Sequence, residues 1–235
     1  MNVRISHAVG DEKGEGHGGK AGDQTGREIR VQNWYLRDGG WGVYLECTDP
    51  ELAAKAALNA TLIANDDSFG YDKGERWTGE DAIKSAGSIE AASASEFDCS
   101  SLVDTAYRLA GLPVKRGYTG NLESRYLATG LFRAYRDPAY LTKPDLAKIG
   151  GLYLTAGAHV AMIVSNGGGV SDGKKYVLVL GSVNVREAAG VPTSSMTPEE
   201  KNARRILFTA RKNQKYEFIG TDSSTGWYRI STPLG

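Results

Sequence analysis

Residues 98–113, Asp-Cys-Ser-Ser-Leu-Val-Asp-Thr-Ala-Tyr-Arg-Leu-Ala-Gly-Leu-Pro, constrain the fold more than any other stretch of the chain. Leu102, Val103, Ala106, Leu109 and Ala110 fall on one helical face. Gly111 stands where a C-terminal cap belongs, and Pro113 prevents continuation. The pattern predicts an amphipathic helix with Cys99 in its first turn. A thiol there meets unpaired N–H groups and the positive end of the helix dipole, both of which favour a thiolate.

Around this helix the periodicity switches between helix and strand, so a mixed α+β fold is expected. Pro50 to Ile63 reads as a helix, with Leu52, Ala56, Asn59 and Ile63 on one stripe and Asp49-Pro50 as cap and first position. Glu28–Leu36 and Trp41–Cys47, rich in aromatic and β-branched residues, flank the turn signal Asp38-Gly39-Gly40 and read as a hairpin. Gly151–Thr155 and His159–Ser165 read as two further strands, the second apolar on both faces and therefore buried. His7 to Thr25 carries many glycines and reads as an irregular loop. Ala86–Ser95 reads as a loop or short helix.

A run of Gly, Ser, Asp and Lys over Asn166–Lys175 breaks the composition and reads as a linker. The expected organisation is a larger domain over 1–169, a linker over 170–175 and a small all-β module over 176–235. The strands of that module are expected at Tyr176–Leu180, Val183–Arg186, Lys215–Gly220 and Trp227–Ile230, with Thr193–Arg205 as a polar insertion. At 235 residues there is room for two domains.

Lysine plus arginine and aspartate plus glutamate are both 28, so charge favours neither nucleic acid nor an acidic membrane as partner. No apolar run approaches the length of a membrane span, and Met1 to Lys20 lacks a signal-peptide core. Synthesis and residence in the cytosol are therefore expected until something releases the chain. Two cysteines, Cys47 and Cys99, do not make a disulfide framework, although one bridge is formally open. The three histidines, His7, His17 and His159, lack metal-site spacing, so neither zinc nor any other cofactor is expected. Asn65–Gly70 superficially has the look of a calcium loop, but Phe69 and Arg76 stand where such a loop would need oxygen ligands.

A cysteine nucleophile needs a nearby base, most often histidine, and a third polar group to orient it. His159 heads an apolar strand, where an imidazole needs a polar task. His7 and His17 lie in the glycine-rich opening and read as surface residues.

Phe97-Asp98-Cys99-Ser100-Ser101-Leu102-Val103 resembles the nucleophile motif of the NlpC-like (and CHAP-like) cell-wall peptidases, and Ala158-His159-Val160-Ala161-Met162-Ile163 resembles their histidine strand. The glycine-rich Gly18–Gly26 and Gly70-Tyr71-Asp72 extend the likeness to prophage lysins, over about residues 5–169. The resemblance implies a papain-like fold and cleavage of a peptidoglycan amide, with Cys99 as nucleophile and His159 as base. Tyr71, Asp98, Ser100 and Arg76 would line the stem-peptide site. Asp98 reads equally as a helix cap. The third polar residue usual in that family has no match where it is expected. Asp172, Glu28 and Asn33 are candidates, and Lys73 replaces the usual glutamine after Tyr-Asp. Gly181–Arg186 and Gly226–Ile230 resemble two strands of a bacterial SH3 module, which implies a small SH3-like barrel that binds the wall. A non-catalytic wall-binding protein and an acyltransferase using the same cysteine are the alternatives.

Overall fold

The computed structural model describes residues 2–166, 175–179, 183–211 and 215–230. It divides into two compact units, Met1–Gly169 and Val170–Gly235. Of the run read as a linker only Asn166 and Lys175 are described; residues 167–174 lie outside the described residues.

In chain order the first unit contains strands β1 (Val3–Ala8), β2 (Ile29–Asn33) and β3 (Val43–Cys47), helix α1 (Pro50–Ala64), β4 (Phe69–Tyr71), α2 (Thr78–Ala86) and β5 (Ser95–Phe97). It continues with α3 (Cys99–Ala110), α4 (Thr119–Leu127), β6 (Phe132–Tyr135), α5 (Pro138–Leu141), β7 (Leu152–Thr155) and β8 (His159–Asn166). Six strands form one antiparallel sheet in the order β2-β1-β8-β7-β3-β6. The short parallel pair β4–β5 stands apart.

This order corrects the hairpin expected over Glu28–Cys47. The chain does turn at Gly40, whose N–H donates to the Arg37 carbonyl. Yet β2 pairs with β1, β3 pairs with β6 and β7, and three strands separate them. All five residues of β3 are buried, and a strand buried on both faces needs a partner along each edge, which a simple hairpin does not supply. The loop expected from His7 onward is also corrected at its start: Val3 to Ala8 is a strand, and His7 is buried within it.

Helix α1 starts as expected, with Asp49 Oδ1 accepting from the N–H groups of Glu51 and Leu52. Its buried stripe is Ala53, Ala56, Ala57, Ala60 and Ile63, so Leu52 and Asn59 sit at the margin. The small side chains let α1 lie against α3, and Asn59 Nδ2 bridges them by donating to the Ala106 carbonyl at 3.0 Å. Both helices cover one face of the sheet, packing on Leu45, Leu152, Val160 and Met162. The opposite face is aromatic, with Trp41, Tyr44 and Tyr153 beside Ile5, Ala161 and Ile163. Burying one such ring contributes about 1.5–3 kcal/mol, so this layer fixes the sheet as firmly as the helical one.

The second unit contains β9 (Lys175–Leu178), β10 (Val183–Arg186), α6 (Pro198–Ala203), β11 (Ile206–Ala210), β12 (Lys215–Thr221) and β13 (Tyr228–Ile230). They form a two-stranded sheet, β10–β11, and a three-stranded sheet, β13-β12-β9. Among the described residues no closed SH3-like barrel is formed, which corrects the barrel part of the expectation. The Thr193–Arg205 insertion carries a helix because Thr197 and Glu200 close a reciprocal capping box. Residues 181 and 182 of the module's opening signature lie outside the described residues.

Candidate active site

The start of α3 and the start of β8 meet at Cys99, and β1 lies beside β8. Asp98 is the N-cap of α3. Its Oδ1 accepts from the Ser101 N–H at 2.7 Å and the Ser100 hydroxyl at 2.8 Å, while Ser101 Oγ accepts from the Asp98 N–H at 2.8 Å. Asp98 Oδ2 pairs with Arg76 Nη1 at 3.2 Å. The side chains of Asp98, Ser100 and Ser101 are thus held, and Cys99 is fixed at the first helical position with 6% of its surface exposed.

The backbone of Val160, adjacent to His159, donates toward the Cys99 sulfur, and the Ser100 N–H does the same. These donors and Lys73 favour the thiolate, but burial and the Asp98 carboxylate outweigh them and push the thiol up to about 12. The thiolate expected from the helix terminus is therefore not the resting form.

His159 begins β8, opposite Thr155, after a turn in which Gly157 takes φ +74°. Its imidazole stacks on the Trp41 indole, with ring centroids 6.1 Å apart and 26° between the planes. Burial, then the Arg37 charge, lower its pKa to about 4, against the opposing pull of Asp98. His159 is a neutral base at ordinary pH.

His159 Nε2 lies 3.0 Å from His7 Nδ1. The pairing of β1 with β8 sets this contact: Ser6 stands opposite Met162, so His7 faces Ala161 and lies diagonally across from His159 on the same side of the sheet. His7 is 1% exposed, and burial, His159 and Arg30 hold its pKa down at about 3. One of these two nitrogens donates to the other; with the proton of a neutral His7 on Nε2, its Nδ1 would accept from His159 Nε2–H and leave His159 Nδ1 unprotonated. Reading His7 as a surface residue is corrected by this burial. The alternation Val3, Ile5, His7 was the available signal, and the neighbouring glycines obscured it.

Of the other residues singled out in the sequence, Tyr71 is buried, and Cys99 and Asp98 add to burial in raising its phenol pKa. Arg76 is occupied by Asp98, and Ser100 is buried with its hydroxyl donated to Asp98. His17 is exposed, 3.9 Å from Asp72. Glu28 is buried, and its two oxygens accept from the N–H groups of Gln24 and Tyr71 and so pin the glycine-rich loop to β4. Asn33 is exposed at the end of β2, and Asp172 lies outside the described residues. The loop passes close to β4 because Gly70 has no side chain: a Cβ there would sit 2.2 Å from the Gly22 carbonyl oxygen. Cys47 and Cys99 are both free thiols. Among the described residues no group of three or more His, Cys, Asp or Glu side chains could hold a metal ion, and no helix is long and apolar enough to cross a membrane.

A family model described as an endolysin-like domain matches residues 5–170, a span that includes His7, Cys99 and His159. No curated protein and no solved structure matches the chain.

Proposed function

The chain belongs to the endolysin-like domain family, and from that premise we propose that it hydrolyses an amide or peptide bond of bacterial peptidoglycan with Cys99 as nucleophile, His159 as base and His7 as the residue that orients the base. The observation that carries this reading is the 3.0 Å contact between His7 Nδ1 and His159 Nε2 beside a cysteine seated at a helix N-terminus.

On this reading the first unit is a papain-like domain. The six-stranded sheet and the helix that begins at Cys99, set against the strand that begins at His159, support that comparison. Because the resting thiol and imidazole are both neutral, proton transfer accompanies attack rather than preceding it. His159 Nδ1 takes the Cys99 proton as Sγ bonds to the substrate carbonyl carbon. The oxyanion that develops is stabilised by first-turn N–H groups of α3, of which Asp98 occupies that of Ser101. Collapse breaks the C–N bond, and His159 returns the proton to the leaving amine. Water, deprotonated by His159, then hydrolyses the thioester. His7, accepting from His159 Nε2–H, holds the tautomer throughout. Tyr71 and the Arg76–Asp98 pair line the stem-peptide side of the cleft, and Ser100 acts from beneath it through Asp98.

The second unit serves as the wall-binding module. Its exposed Trp227, Tyr228 and Ile219 offer apolar surface for such contact. The chain thus acts at the cell wall, on peptidoglycan.

Mass spectrometry of fragments released from purified peptidoglycan tests the reading. Wild type is expected to release new stem-peptide termini and Cys99→Ala none. Equal release by both, or binding without release by wild type, overturns it; the second result would favour a non-catalytic wall-binding protein. An amine acceptor joined to the product would identify an acyltransferase instead.

A further inference from the structure

On the histidine side of the candidate site stand two arginines that the proposed chemistry does not use. Arg30 is on β2 directly opposite His7 in the strand register, so both side chains leave the same face of the sheet. Its Nε donates to Gln32 Oε1 at 2.8 Å. Arg37 follows β2, its guanidinium carbon 5.9 Å from the centroid of the Trp41 ring that stacks on His159. Between them in sequence is Tyr35, whose ring centroid is 5.8 Å from that of His7 and whose phenol feels both arginines and Cys99. Arg76, Arg108, Arg116 and Arg125 of the same unit each pair with a carboxylate. Neither Arg30 nor Arg37 forms an ion pair among the described residues, although both are half-buried.

Two half-buried guanidiniums without an anion, beside a base that must become positive, oppose the reaction. An imidazolium at His159 is repelled by Arg37, and the paired His7 by Arg30. A carboxylate bound between protein and substrate removes that repulsion, and arginine binds it in a planar, two-pronged geometry that few other groups accept.

We infer that Arg30 and Arg37, with Tyr35, form a subsite for a free carboxylate of the substrate beside the scissile amide. The inference rests on the hydrolase reading above and names its substrate class: a stem peptide whose carboxylate at that position is unamidated. The arginines are specificity residues, and their neutralisation by substrate makes the base effective only when the correct peptide is present.

The test uses the full chain and two synthetic stem peptides, with the cleaved bond located beforehand in wall digests. They differ only in whether the carboxylate flanking that bond is free or a primary amide. Wild type is expected to favour the free carboxylate by about 10–100-fold in kcat/KM, the range of charge-assisted hydrogen bonds. The double variant R30Q/R37Q is expected to bring the two peptides within about threefold of each other, and R37K to restore part of the preference. Removing Arg37 also moves the acid limb of kcat/KM to higher pH, a shift that a purely structural arginine would not cause. Wild type that digests walls yet cleaves both peptides at equal rates overturns the inference alone, as does a double variant that loses activity while keeping the full preference. Wild type that cleaves neither walls nor peptides overturns the hydrolase reading and this inference with it.

Discussion

The two halves of the candidate site are built in opposite ways. The cysteine half is local: Asp98, Ser100 and Ser101 satisfy one another within four residues, and the helix would present Cys99 in this manner wherever it were placed. The histidine half is assembled at long range. His7 and His159 are 152 positions apart and meet only because β1 pairs with β8. A local turn fixes the nucleophile, whereas the whole sheet fixes the base, so damage to the two halves should differ in size and in kind.

The largest effect is expected at the nucleophile. Cys99→Ala removes the attacking atom and should lower wall lysis by at least about 10⁴-fold with thermal stability retained; fragment release checks it. His159→Gln should follow with a loss of about 10³-fold in kcat, within the range for a positioned base. His7→Gln breaks the long-range half alone and should cost about 10–100-fold, as misplacement of a catalytic group does. His7→Asn, whose Oδ1 takes the place of Nδ1 as acceptor where the glutamine Oε1 takes that of Nε2, should recover part of this, whereas equal losses for both would show that His7 only fills space.

Smaller effects are electrostatic. Asp98→Asn keeps the helix cap but removes the charge that helps raise the thiol, so Cys99 should alkylate faster at a given pH than in wild type. Alkylation no faster than in wild type would contradict this. The smallest effect is in acid. His159 and His7 have folded pKa values near 4 and 3, below the ordinary 6.5, so the unfolded chain binds more protons between these limits. Stability from keeping the pair neutral is fully present above about pH 6.5 and is lost as pH falls toward 4. His7→Gln should flatten that part of the unfolding midpoint against pH. The acid limb of kcat/KM should lie near pH 4, where His159 ceases to be a base.

This contrast also explains what could be read from the chain beforehand. The helix from Cys99, its cap, its stop at Gly111 and the strand headed by His159 rest on short-range patterns, and each lies where it was expected. Strand partners do not leave such marks. The Asp38-Gly39-Gly40 turn signal suggested a hairpin, but the burial of β3 on both faces placed β7 and β6 beside it. His7 was concealed for the same reason. Its strand is six residues long and runs into a glycine-rich loop, and its role depends on a neighbour at the far end of the domain. Helices α4 and α5 and strand β6, between Thr119 and Leu141, gave no strong period because few of their residues face the core.

The central claim, that Cys99 carries the substrate acyl group while the histidine pair moves the proton, is tested most directly by trapping the intermediate. Wild type would be mixed with soluble stem peptide, quenched in acid within a turnover, and mapped by mass spectrometry of its peptides. A thioester on Cys99 with the mass of the acyl fragment, absent from Cys47 and abolished in Cys99→Ala, is the expected result. Turnover with no adduct on Cys99, or with an adduct on another residue, would contradict the account.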